Sequence, residues 1–357
     1  MTDNLFDRLA DLLRSPGPVN WRLAREIAES VAGPGEPIEP SLVDEYKELA
    51  TTAARLVDQA TPLDAGAATT PVGIHDRRSW AAANVEMLAY VAEPVAEKLS
   101  AGGGAGSPLA MLGPALLGMQ AGSTVGFLSQ RVLGRFDAGI PAGAPTGANF
   151  VVPNIEEFAT EHDLDPRQLR LWVALHEVTH QAELAVPWVR ERLHMLVHEF
   201  VEGLEVDPEA MQRRFEALQD PEELQRLLEE PGGLGAMFRK GAEPEAVEHL
   251  RALIAFLDGY AEHVVESVGT GLVPQAPRVR EAVDRHRAEP SEGETMLQDM
   301  LGLTLDVADY RMGLDFVIDA ERRWGPEALT RAWEGPDSVP TLAELRDPVG
   351  WAARVLL

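Results

Sequence analysis

Apolar residues recur every three or four positions along most of the chain, which is the spacing of a helix with one buried face. The first such segment, residues 21–32, is followed at once by Gly33-Pro34-Gly35, and glycine and proline stop helices. Ser79 is a residue type that caps helix N-termini. The same pattern predicts further helices over residues 41–56, 79–98 and 246–268. These segments together predict a mainly α protein.

One short segment has the composition of a strand. Residues 148–152 read Ala-Asn-Phe-Val-Val, follow a turn-rich stretch and end at Pro153-Asn154. We therefore expect a small β element near the helix that carries the candidate chemistry. No clear linker divides the chain, so the prediction is a single domain over residues 1–357. Within it we expect an N-terminal helical lobe of about 1–147 and a second lobe of about 148–357.

The candidate chemistry lies on a helix whose beginning can be read directly. Asp165 is a good N-terminal cap, and Pro166 suits the first helical position. Apolar residues then fall on every side of residues 171–175, which predicts a helix buried all round.

This helix carries the motif HExxH, formed by His176, Glu177 and His180. Histidines four positions apart project from one helix face and can hold a single tetrahedral ion, while the glutamate beside them can take a proton from activated water. The chain contains no cysteine, so a metal site must use histidine and carboxylate ligands. We therefore predict a zinc centre with Glu177 as its general base. The alternative is a pair of core histidines beside a solvated glutamate, which burial disfavours because buried polar groups need partners.

The third ligand is expected on the predicted helix over residues 246–268. Asp258, Glu262 and Glu266 lie four positions apart beside its apolar stripe. Like charges at that spacing destabilise a helix, and a bound cation would relieve the repulsion. Glu262 is the first choice for third ligand and Asp258 the second. The alternative is a solvated acidic face.

Two further residues of this helix could act on a substrate. Tyr260 and His263 could polarise a carbonyl group or stabilise the charge that develops in the transition state.

The formal net charge of −27 narrows the classes of partner. A chain this acidic repels phosphate backbones and anionic membrane surfaces, so nucleic-acid and membrane binding are disfavoured. The long uncharged stretch over residues 109–128 contains glycine, proline and polar residues, which favours a buried central helix over a membrane span. The first residues lack the basic region and apolar stretch of a signal peptide, so a cytoplasmic location is expected. The sequence does not indicate an oligomeric state.

The chain resembles a family of bacterial zincin-like metallopeptidases of unassigned substrate that are frequent in actinobacteria. Some members carry names that refer to deazaflavin coenzyme biosynthesis. The resemblance extends over nearly the whole chain and is carried by residues 20–24, 129–134, 152–155, 171–180, 186–188, 258–264, 333–342 and 346–351.

This resemblance implies a zincin-like helical domain that binds zinc and has the scaffold of a hydrolase. The chain departs from the family at Asp258, where the family has a glutamate before the position of Gly259. The shorter side chain weakens Asp258 as a ligand and favours Glu262.

Three functions remain open from the sequence, and the third is an accessory role in coenzyme metabolism that rests only on the names of family members. The first is a zinc-dependent hydrolase, a metallopeptidase that acts on peptide or amide bonds. The second is a non-catalytic binding or assembly protein with a zincin fold and a structural zinc. The second requires four protein ligands and no open position, with His263 or another carboxylate in the fourth place.

Overall fold

The protein is described here from a computed structural model. The structure describes residues 17–66, 71–103, 108–137, 147–207, 209, 238–239, 245–301 and 307–357. Its helices are α1 (Trp21–Ala32), α2 (Pro40–Ala60), α3 (Arg77–Asn84), α4 (Ala89–Gly103), α5 (Pro108–Ser129), α6 (Val152–Glu161), α7 (Pro166–Ala185), α8 (Pro187–Gly203), α9 (Glu245–Gly269), α10 (Ala276–Ala288), α11 (Glu292–Leu301), α12 (Val307–Trp324), α13 (Pro326–Ala332), α14 (Leu342–Arg346) and α15 (Pro348–Val355). Its strands are β1 (Gly73–His75), β2 (Asn149–Val151), β3 (Glu205–Val206) and β4 (Phe238–Arg239). The predicted mainly α fold is confirmed.

Local signals placed several helix ends correctly and others wrongly, since α2 ends at Ala60 and not at the predicted residue 56. Helix α1 has the predicted bounds, and α9 extends one residue beyond its prediction at each end. The helix predicted over residues 79–98 is instead α3 and α4, joined by a 3₁₀ turn over Val85–Leu88. Its cap is Asp76 and not Ser79. Ser79 is the reciprocal partner in a capping box, because its amide donates to Asp76 while its hydroxyl accepts from the Asp76 amide.

The small-residue helix α5 packs closely against α1. A Cβ on Gly118 would lie 2.5 Å from the carbonyl oxygen of Asn20, and one on Gly122 would lie 2.4 Å from that of Ala24. Glycine at these two positions lets the two backbones approach closely, so α5 is the buried, glycine-containing helix that its composition predicts. Among the described residues, no helix is long and apolar enough to cross a membrane.

The small β element lies beside α7. Strands β1 and β2 pair in parallel, with Ile74 opposite Phe150, and Gly134 forms an antiparallel bridge to Phe150. Strand β2 leads directly into α6. Val152, predicted as the last residue of the strand, is the first residue of that helix. The antiparallel pair β3–β4 was not predicted, because each strand is only two residues long.

Helix α7 lies at the centre of the packing. Every residue from Trp172 to His180 is buried, and the helix contacts α2, α6, α8, α9, α10 and β2. The predicted burial of this helix is therefore confirmed. The contact with α2 crosses the lobe boundary expected near residue 147, and the division into lobes stays a prediction.

Helices α9 and α12 meet backbone to backbone at two glycines. A Cβ on Gly259 would lie 2.2 Å from the carbonyl carbon of Gly313, and one on Gly313 would lie 1.7 Å from the carbonyl oxygen of Ala255. No side chain fits at this crossing. This contact fixes the position of α9 relative to α12, and α9 carries Asp258.

We expect Gly313→Ala to lower the free energy of unfolding by about 3 kcal/mol, because overpacking against rigid backbone forces the helices apart. Urea denaturation would measure the loss. Gly269→Ala is the matched control, since a Cβ there makes an ordinary 3.8 Å contact with Val273 and should change stability by at most about 1 kcal/mol. Equal losses in the two variants would contradict the close approach.

Candidate metal centre

Three side chains from two helices converge at one buried point. His176 and His180 come from α7 and Asp258 comes from α9. One ligand atom from each lies within 4.8 Å of the others, and all three residues are buried. Within the described ranges, this is the group of histidine and acidic residues whose geometry could hold a metal ion.

His180 presents one nitrogen to this group because its other nitrogen is occupied. Nδ1 lies 2.7 Å from Oε2 of Glu183, one helical turn further along α7. Nε2 is buried, lies 3.9 Å from Oδ1 of Asp258 and has no hydrogen-bond partner among the described residues. Burial lowers the pKa of His180, but the negative charge of Glu183, with that of Asp258, outweighs it and leaves the pKa above its ordinary value. The same negative charge favours a metal cation at Nε2.

His176 lies in a different environment from His180. Its ring stacks on Trp172 with centroids 5.3 Å apart and meets the ring of His180 edge-on at 4.6 Å. Burial, together with the neighbouring His180 and Arg287, lowers the pKa of His176 well below its ordinary value. The ring is therefore neutral near pH 7, and a neutral imidazole is the form that binds metals.

Glu177 points away from solvent into a lining of backbone amides. Oε1 accepts from the amide of Phe136 at 2.9 Å, and Oε2 accepts from the amide of Asn149 at 3.2 Å. Gly134 packs so closely that a Cβ there would lie 2.2 Å from Oε1. Burial raises the pKa of Glu177 to about 7, against the lowering effect of backbone hydrogen bonds from Phe136, Arg135 and Asn149. A carboxyl group whose pKa lies near 7 suits a general base, because it can both accept and release a proton at neutral pH.

The acidic stripe of α9 is neutralised by two arginines from α10. Arg287 donates to both carboxylate oxygens of Asp258 at 3.1 Å, while Arg280 pairs with Glu262 at 2.8 Å and with Glu266. The repulsion expected from the sequence is thus relieved by guanidinium groups. Of the two candidates for third ligand, the structure brings Asp258 to the histidines and directs Glu262 to Arg280.

The two candidate substrate-stabilising residues lie outside the group of three. The ring of Tyr260 meets that of Trp333 edge-on at 4.8 Å. His263 lies with Nε2 3.2 Å from a carboxylate oxygen of Glu321 on α12. Their roles in catalysis stay predictions.

Sequence reasoning missed two residues of the centre. Glu183 had a local signal, since it follows His180 by three positions on a helix expected to be buried. Arg287 had none, because it lies on a separate helix and only the packing of α10 brings it to Asp258.

A family model described as zincin-like metallopeptidase matches residues 19–352. The chain belongs to the zincin-like metallopeptidase family. Family membership and the buried group of three agree on a protein of the hydrolase class with a place for a metal ion.

The fold is also found in a solved structure. A protein from Chloroflexus aurantiacus, described as "a putative hydrolase with a novel fold", superposes with a TM-score of 0.67 at 24% identity. The match covers 94% of this chain and 98% of that chain, and at this identity it shows a shared fold. No curated protein matches the chain. The deazaflavin association suggested by the resemblance stays a prediction.

We expect Glu183→Gln to weaken zinc binding about tenfold, because a neutral amide orients and polarises His180 less than a carboxylate does. Competition with a chromogenic chelator would measure the dissociation constant. The control is Glu321→Gln, which alters a histidine–carboxylate pair outside the group of three and should leave zinc affinity unchanged. Equal weakening in both variants would argue against the role of Glu183.

Proposed function

We propose that this zincin-like protein is a zinc-dependent hydrolase that cleaves peptide or amide bonds. The observation that carries the proposal is the group of three ligands at His176, His180 and Asp258, with no fourth histidine or acidic residue joining it among the described residues. Catalytic zinc sites have three protein ligands and an open position, whereas structural sites have four. The count therefore favours the hydrolase over a non-catalytic protein with a structural zinc.

Asp258 is the third ligand in this proposal. It is the carboxylate that lies with the two histidines, and Glu262 is held by Arg280. A zinc ion in this position would supply Lewis-acid chemistry and lower the pKa of water.

Glu177 is the proposed general base. Its carboxylate has a pKa raised by burial to about 7, so near neutral pH it can accept a proton from the attacking water and later return it to the leaving amine. The amides of Phe136 and Asn149 hold both oxygens in place, which keeps the base positioned between turnovers. Peptide or amide substrates follow from the family, and the acidity of the chain favours them over nucleic acids.

We expect Glu177→Gln to reduce hydrolysis of a quenched-fluorescent peptide library by about 100-fold or more, because the general base is lost. Bound zinc, measured by atomic absorption, should stay at the wild-type level. Both oxygens of Glu177 accept hydrogen bonds from backbone N–H groups, so the amide nitrogen of the new glutamine must face one of these donors. This mismatch destabilises the fold, so thermal unfolding of the variant is recorded as well. Glu262→Gln is the control and should keep its activity. A zinc-loaded, folded Glu177→Gln variant with full activity would refute the assignment.

The choice of third ligand predicts different effects at two carboxylates of α9. Asp258→Asn should weaken zinc binding by more than about 100-fold, beyond the effect of outer-shell changes, because a directly bound anion is lost. Glu262→Gln should leave the affinity unchanged. Titration calorimetry on the metal-stripped chain would measure both, and the opposite pattern would assign the ligand to Glu262.

A further inference from the structure

A positively charged side chain, that of Arg287, contacts the proposed metal site. The guanidinium of Arg287 donates from Nη1 to Oδ2 and from Nη2 to Oδ1 of Asp258, both at 3.1 Å. Nη2 also lies 3.4 Å from Nε2 of His176. The side chain is only 11% exposed, and its guanidinium lies over the ring of Tyr310 at 5.0 Å. Arg287 therefore contacts two of the three proposed ligands.

We propose that Arg287 is a positioning residue that competes with the metal ion for Asp258 and so sets the metal affinity of the centre. This inference rests on the proposed function, because it takes His176, His180 and Asp258 as the metal ligands.

Distances within the site require the two cations to be neighbours. A zinc ion bound to Nε2 of His176 would lie about 2.1 Å from that atom. Since Nη2 of Arg287 lies 3.4 Å from the same nitrogen, the ion would be at most about 5.5 Å from Nη2. Charges at that separation in a protein interior interact strongly, so the guanidinium opposes the binding of a divalent cation.

The carboxylate of Asp258 is shared as well. Each of its oxygens already accepts one guanidinium N–H in a bidentate pair. Part of its negative charge is thereby neutralised, so it is a weaker donor to a metal than an unpaired carboxylate would be. Oδ1, which lies 3.9 Å from Nε2 of His180, is the oxygen placed to reach the ion.

The ring of Tyr310 holds Arg287 near the centre independently of Asp258, because the guanidinium lies over that ring at 5.0 Å. Arginine is always protonated in proteins, so this guanidinium keeps its positive charge. The guanidinium therefore stays charged and near the centre when Asp258 turns towards a metal. A neutral hydrogen-bond donor would orient Asp258 without this repulsion, which separates the effect of Arg287 from ordinary support of a ligand.

The experiment compares zinc binding to full-length, metal-stripped variants by competition with a chromogenic chelator. Arg287→Met removes the charge at similar length and should lower the dissociation constant for zinc about tenfold or more, because the repulsion between close cations is lost. Arg287→Gln is a second neutral variant that can keep one hydrogen bond to Asp258, and it should change in the same direction. Arg287→Lys keeps the positive charge, so it should bind zinc more weakly than either neutral variant does.

Arg280→Met is the matched control. Arg280 lies on the same helix and pairs with Glu262 and Glu266, outside the group of three, so its loss should leave zinc affinity unchanged. Tighter binding in Arg280→Met but not in Arg287→Met would overturn the inference and point to Glu262 as the ligand.

Thermal unfolding supplies a second measurement. Without zinc, the neutral variants leave the Asp258 carboxylate buried without its arginine, so their melting temperatures should fall below that of the wild type. Zinc should then raise their melting temperatures by more than it raises that of the wild type, because a ligand that binds more tightly stabilises more.

Weaker or unchanged zinc binding in both neutral variants would overturn the competition and make Arg287 an ordinary support of Asp258. His176→Ala separates this result from failure of the proposed function. If the wild type binds no zinc, or binds it as well as His176→Ala does, the metal site itself is refuted and the inference falls with it.

Discussion

Helix α7 has no face open to water between Trp172 and His180, and the arrangement of the centre follows from that burial. A polar group inside a protein must find a partner, since leaving it unsatisfied costs several kcal/mol on apolar transfer scales, roughly 2–7 for an amide or hydroxyl. The helix brings two imidazoles and two carboxylates into this interior. Backbone amides of neighbouring segments donate hydrogen bonds to Glu177, and Glu183 of the same helix forms a hydrogen bond with His180.

This pairing leaves over two atoms, Oε1 of Glu183 and Nε2 of His180, and the second of them faces the proposed metal site. Nε2 of His180 is buried without a hydrogen-bond partner among the described residues and lies beside Asp258 and His176. Elsewhere, a buried arginine is paired with partly exposed carboxylates, as where Arg170 donates to Glu156 and Glu45. The centre differs because its cation partner, Arg287, satisfies Asp258 without reaching His180. A metal ion would join the three ligands that protein groups alone leave incompletely paired.

The rest of the fold places α9 and α10 against this helix. Gly259 and Gly313 let α9 and α12 touch through their backbones, which sets the position of the adjacent Asp258. Helix α10 then brings Arg280 and Arg287 onto the acidic stripe of α9. The Chloroflexus aurantiacus protein, at 24% identity, shows that a widely different sequence can adopt the same fold.

Features of α7 could be read from the sequence because they depend on neighbouring residues. The Asp165 cap, the burial of the helix and the pairing of His176 with His180 all follow from local spacing, and the structure has each of them. The third ligand could not be chosen this way, because Asp258 and Glu262 have the same charge and the same helical spacing. The packing of α9 on α7 places Asp258 3.9 Å from His180, while Glu262 pairs with Arg280 of α10. Which carboxylate meets a histidine is settled by contacts between helices distant in the chain, and no local pattern encodes them.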